Sequence, residues 1–93
     1  NSQVAQAAIS LLESMQMDCL VSCVDCTSIE VENIRTGRLV GGAAQFPEAM
    51  GAKAVEVMYD ILDGKTLEDK TIRLETEWVD ASNVEEFAAK MGF

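Results

Sequence analysis

Apolar and polar residues change period several times along the chain, and each change marks an element. Val4, Ala7, Ala8, Leu11, Leu12 and Met15 recur at i, i+3, i+4 and i+7, the spacing of one face of an amphipathic helix. Asn1 or Ser2 can cap that helix with a side-chain oxygen. Residues 19–24 are nearly continuous in small apolar side chains, which predicts a short strand buried on both faces, as in a parallel sheet, ending at Asp25. Thr27 and Glu30 fit a capping box that opens a short helix, and Gly37 terminates it. Residues 39–45 predict a second strand of mostly small side chains. Gly41 and Gly42 inside it predict that another part of the chain approaches its backbone closely.

Pro47 suits the first turn of a third helix, with Met50, Ala54, Val57, Met58, Ile61 and Leu62 on one face and a stop at Gly64. After a polar link at 65–70, Ile72, Leu74, Thr76 and Trp78 alternate with Arg73, Glu75 and Glu77, the period of a strand with one wet face. Ser82 and Glu85 fit a second capping box, opening a last helix that carries Val84, Phe87, Ala88 and Met91. Helices and strands alternate throughout. This order predicts an α/β fold, a three-layer αβα sandwich around a mostly parallel sheet.

Composition narrows what such a fold can do. The chain has 93 residues, room for one domain at most, and with aromatics at 5 % its core must be aliphatic. No apolar run is long enough to span a bilayer. The net charge of −9 repels phosphate backbones and anionic lipid, so neither nucleic acid nor a membrane surface is an expected partner. There is no histidine, which removes the usual near-neutral proton shuttle, His-based zinc sites and Ser–His or Cys–His nucleophiles. Cys19, Cys23 and Cys26 are odd in number and their spacing matches no common zinc or iron–sulfur pattern, so they are read as packing residues. Gly41 and Gly42 lack the context of a phosphate loop. Glu75 and Glu77 are expected to meet solvent, and Asp60 and Asp63 lie near a helix C-terminus. No catalytic residue, metal or cofactor is expected, and the chain is read as non-enzymatic.

Ligands of open parallel sheets bind beyond the carboxyl ends of strands. Asp25 and Gln45 stand at two such ends, and Asn1 opens the first helix. A carboxylate with two carboxamides suits the hydroxyls of a sugar or polyol, because amides donate and accept while the carboxylate accepts. On these residues alone a second reading stands beside it, in which Asp25 caps the turn at Thr27 and Gln45 is an ordinary loop residue.

The order and separation of several motifs resemble the C-terminal third of a periplasmic sugar-binding protein of the ribose/galactose type, a type I solute-binding protein of an ABC transporter. Val24, Asp25, Cys26 and Thr27 resemble the family's V-D-G-T strand end. Gly37, Arg38 and Leu39 resemble its G-K-L, and Ala44, Gln45, Phe46 and Pro47 its A-Q-x-P strand end. Met50 and Gly51, Gly64, and the stretch from Trp78 to Phe87 follow in the family's order, and the opening helix is similar to its N-D-x-M-A-x-G-A helix. The resemblance implies that Asn1, Asp25 and Gln45 hydrogen-bond the sugar. It implies delivery to a membrane permease, a signal peptide on the full-length chain, and an extracytoplasmic place, periplasmic or lipid-anchored at the cell surface.

It also implies that the chain is a fragment. Residues 1–45 would belong to the C-terminal lobe, 46–70 would form a helix and link packing on the N-terminal lobe, and 71–93 would supply the terminal strand and helix. Such a piece is expected to cover exposed apolar faces by self-association or rearranged strand pairing. One departure concerns the site: Cys26 stands where the family has Gly, which would strain the turn if that backbone needs positive φ. Two other functions share the fold. The effector domain of a lac-repressor-type regulator usually has a P-x-L-T-T stretch, absent here, and a sugar or quorum-signal sensor ectodomain is the other.

Overall fold

The computed structural model describes residues 1–93, with elements α1 (Ser2–Ser14), β1 (Ser22–Val24), α2 (Ser28–Arg35), β2 (Gly41–Ala44), α3 (Pro47–Leu62), β3 (Glu77–Asp80) and α4 (Val84–Met91). The fold is α/β, with four helices and one mixed three-stranded sheet in the order β1-β2-β3. β1 and β2 run parallel, with Cys23 opposite Gly42, and β3 runs antiparallel to β2, with Gly42 opposite Val79. No helix is long and apolar enough to cross a membrane. Two compact units are present, one of residues 1–45 with 77–93 and one of residues 46–76.

The first unit holds the sheet, α1, α2 and α4. Cys23, Gly42 and Val79 are cross-strand neighbours and therefore share a face. Val79 is fully buried on it, whereas Val24 and Trp78, on the other face, are 51 % and 49 % exposed. Helix α1 packs on β1, α2 on β2 and α4 on β3, so this unit has two layers. The core between them consists of Ala5, Ile9, Val31, Ile34, Leu39, Val79, Val84, Phe87 and Ala88. Arg38 reaches Glu13 of α1 at 2.6 Å and Arg35 grips Glu85 of α4 with two hydrogen bonds of 2.8 and 2.9 Å. Exposed pairs of this kind orient helices more than they stabilise them.

Local signals set most of the boundaries. Asn1 Oδ1 accepts from the Val4 N–H at 3.0 Å and caps α1. The Thr27–Glu30 capping box forms, and Gly37, at φ +76°, turns the chain out of α2 toward Leu39. Gly41 and Gly42 have the close neighbours their sequence context predicts. A Cβ on Gly42 would stand 2.7 Å from the Asp25 carbonyl oxygen, and one on Gly41 would overlap the Trp78 ring.

Other expectations are corrected. In α1 the buried stripe is Ala5 and Ile9, not the Val4–Leu11–Met15 face, whose residues are 57–65 % exposed. Seven of residues 4–12 are apolar, so periodicity alone does not choose the face. β1 is a three-residue edge strand rather than one buried on both faces, because only β2 pairs with it and one of its faces is open; Leu20 is 84 % exposed. β3 begins at Glu77, and Ile72 and Leu74 lie outside it, half-exposed. β2 offers only four partners, and their register puts Val79, not Trp78, on the covered face. The Ser82–Glu85 box does not form. Asp80 Oδ1 takes both the Ser82 N–H at 2.8 Å and its hydroxyl at 2.6 Å, Asn83 becomes the N-cap residue, and Glu85 goes to Arg35.

In the second unit, α3 starts at Pro47 and ends one residue before its C-cap Asp63, with Gly64 following. None of its residues is buried. On the face read from the sequence as packed, Met50, Met58, Ile61 and Leu62 are 46, 55, 45 and 78 % exposed, and Val57 is half-buried.

The Gly42 contact gives a direct test. Gly42→Ala forces the Asp25 carbonyl away from β2 and should lower unfolding stability by roughly 2–3 kcal/mol in urea titrations. An unchanged midpoint would show that the two backbones are not in contact.

Candidate functional site

Because β1 and β2 are parallel, the residues that follow them emerge at one edge of the sheet. Asp25 and Gln45 meet there: Gln45 Nε2 donates to Asp25 Oδ1 at 3.2 Å. Asp25 is half-buried and Gln45 exposed. The Asp25 N–H still donates to the Ala43 carbonyl at 2.9 Å, so the ladder runs one residue past β1. There the backbone turns, with Asp25 at φ +89°. Left-handed backbone of this kind costs an L-residue about 1–2 kcal/mol, and Asp and Asn are the side chains that tolerate it best. The expected strain at Cys26 is thus displaced by one position. Cys26 has no positive φ, and its side chain is buried.

Asn1 is brought toward the same end of the unit indirectly. Its neighbour Ser2 donates a hydroxyl hydrogen bond to Glu30 Oε1. Glu30 Oε2 accepts from the Thr27 N–H at 2.8 Å and the Thr27 hydroxyl at 2.6 Å. The N-termini of α1 and α2 are therefore clamped by one fully buried carboxylate. Asn1 itself contacts neither Asp25 nor Gln45, and its Oδ1 is occupied by the cap. The capping motif signalled Glu30 as a cap, but nothing in the sequence signalled its bond to Ser2.

The electrostatics follow from this burial. Burial pushes the Glu30 carboxyl up, but hydrogen bonds from Ser2 and Thr27 outweigh it and hold the group below the usual carboxylate range. Burial, with the negative charge of Glu30 behind it, pushes the Cys26 thiol up to about 11 and raises Cys23 as well. Both thiols stay protonated at neutral pH, which makes them poor nucleophiles and poor metal ligands. No three Cys, Asp or Glu side chains converge in a metal-binding group. Asp80 is held low by the Ser82 hydrogen bonds, a structural duty at the start of α4.

The edge can therefore offer acceptors at Asp25 Oδ2 and Gln45 Oε1, and a donor at the second Gln45 N–H. Groups that both donate and accept, such as neighbouring hydroxyls, match it. An anion does not.

Two measurements probe this end of the unit. The folded Glu30 pKa is depressed, so its contribution is complete above the unfolded value of 4.5 and fades as pH falls through the folded one. Glu30→Gln should lose about 1–3 kcal/mol at neutral pH and show a flatter acid limb in pH-dependent unfolding. The Cys26 thiol has the opposite sign: its contribution is complete below 9.0 and is lost as pH rises through about 11. Native-state alkylation should modify exposed Cys19 first and Cys26 only on unfolding; equal rates would contradict the burial. No protein-family model and no curated protein sequence matches the chain.

Proposed function

We propose that the chain grips a sugar or polyol without transforming it, as part of a solute-binding protein that hands its ligand to an ABC-transporter permease outside the cytoplasm. The observation that carries this reading is the hydrogen bond between Gln45 Nε2 and Asp25 Oδ1 at the carboxyl ends of two parallel strands. It fixes the carboxylate in one orientation and leaves its second oxygen for a hydroxyl. The positive φ at Asp25 adds support, since backbone strain tends to persist where a side chain must be aimed. Asn1 contributes its Nδ2 donors, consistent with the Asn that opens the corresponding helix in the family it resembles. On this reading the unit is one wall of a cleft, and the three-layer sandwich and the second wall belong to a larger assembly of lobes.

Two or three hydrogen bonds, one of them charge-assisted, give an isolated wall an affinity on the order of millimolar. An amide-resolved NMR titration with pentoses, hexoses and polyols should shift resonances at Asp25 and Gln45. Asp25→Asn keeps the turn, because Asn also tolerates left-handed backbone, but removes the charge; it should weaken binding about tenfold. Shifts confined to other regions, or an equal response in the Asn variant, would refute the assignment.

A further inference from the structure

Asp25 carries a charge that the unit around it does not balance. The residue is half-buried, and its carboxylate is bonded only by the neutral amide of Gln45. Arg35, Arg38 and Lys90 are the basic side chains of this unit, and each is spent on another carboxylate, that of Glu85, Glu13 and Glu77 respectively. Lys90 reaches the same edge of the sheet, since Glu77 lies opposite Ala44, one residue before Gln45, but Glu77 holds its ammonium at 3.2 Å.

Behind the edge stands a second carboxylate, Glu30, fully buried and satisfied by hydroxyl and amide donors rather than by a cation. At Cys23, after burial itself, the charge of Glu30 raises the thiol more than the Asn1 ammonium lowers it, and Asp25 adds to the rise. The chain as a whole, at −9, adds a long-range field of the same sign.

This charge distinguishes among hydroxyl-bearing ligands. A neutral hydroxyl satisfies the geometry of Asp25 Oδ2 but leaves its charge uncompensated. A protonated amine does both, adding the attraction of opposite charges in a partly desolvated place to the hydrogen bond itself. Gln45 Oε1, the neighbouring acceptor, then takes a hydroxyl next to the amine. A metal ion needs more converging ligands than this edge supplies.

We propose that the ligand of this edge is an amino sugar or amino polyol, its ammonium on Asp25 Oδ2 and an adjacent hydroxyl on Gln45 Oε1. This rests on the sugar-binding reading and narrows it from neutral to cationic members of the class.

The test is an amide-resolved NMR titration of the 93-residue chain with glucosamine, galactosamine and mannosamine, beside glucose, galactose and mannose, at a pH where the amines are protonated. At low salt an amino sugar should bind at Asp25 and Gln45 about tenfold more tightly than its parent hexose, and about 0.15 M salt should narrow the gap. N-acetylation, which removes the charge and keeps the ring, should abolish the advantage. In Asp25→Asn the amino sugar should bind no better than its parent. Methylamine, which has the charge but no hydroxyls, should bind far more weakly than the amino sugar. Parent hexoses that match the amino sugars at Asp25 and Gln45 overturn this inference and leave the sugar-binding reading standing. An advantage that survives N-acetylation or Asp25→Asn overturns it too, as does methylamine that binds as tightly as the amino sugar. No shift at Asp25 and Gln45 with any sugar overturns both readings.

Discussion

The backbone contact between Asp25 and Gly42 is the constraint on which the Asp25–Gln45 edge depends. The Asp25 N–H continues the parallel ladder to Ala43, while its carbonyl oxygen lies where a side chain on residue 42 would have to be. The chain then leaves β1 at a positive φ. That single turn places the carboxylate beside Gln45, buries Cys26, and delivers Thr27 as the cap of α2. Any side chain at position 42 would move all three. Strain at Asp25 is thus held by the sheet rather than by the loop.

A buried carboxylate then fixes the helices around that turn. Glu30 would be costly inside the unit if left alone, since burial disfavours its charge. Three donors from Ser2 and Thr27 satisfy it, and the result is a clamp between two helix N-termini. Burial raises the neighbouring thiols and the same charge adds to it, so Cys23 and Cys26 stay protonated beside the residue that orders the edge. The cysteines, conspicuous in the sequence, are thus passive, and the chemistry of this end belongs to oxygen and amide groups.

Features decided by a few adjacent residues were legible in the sequence. The Asn1 cap, the Thr27–Glu30 box, the stop at Gly37 and the close packing on Gly41 and Gly42 all belong to this class. So did the meeting of Asp25 and Gln45, because strand direction alone brings the ends of β1 and β2 to one edge. Features decided by competition were not. Ser82 was a plausible cap until Asp80 took both its donors, and the alternation from Ile72 to Trp78 gave the right period but not the register that a four-residue β2 imposes. In α1 the abundance of apolar residues hid which face the sheet would choose. The Ser2–Glu30 bond spans 28 residues and has no local signature.

The two units pose different physical problems. In the first, Val31, Val79 and Phe87 are almost wholly withdrawn from water, and that core rigidifies the edge bearing Asp25 and Gln45. In the second, the helix has propensity and a proline start but no core of its own, so its persistence depends on something covering its apolar stripe.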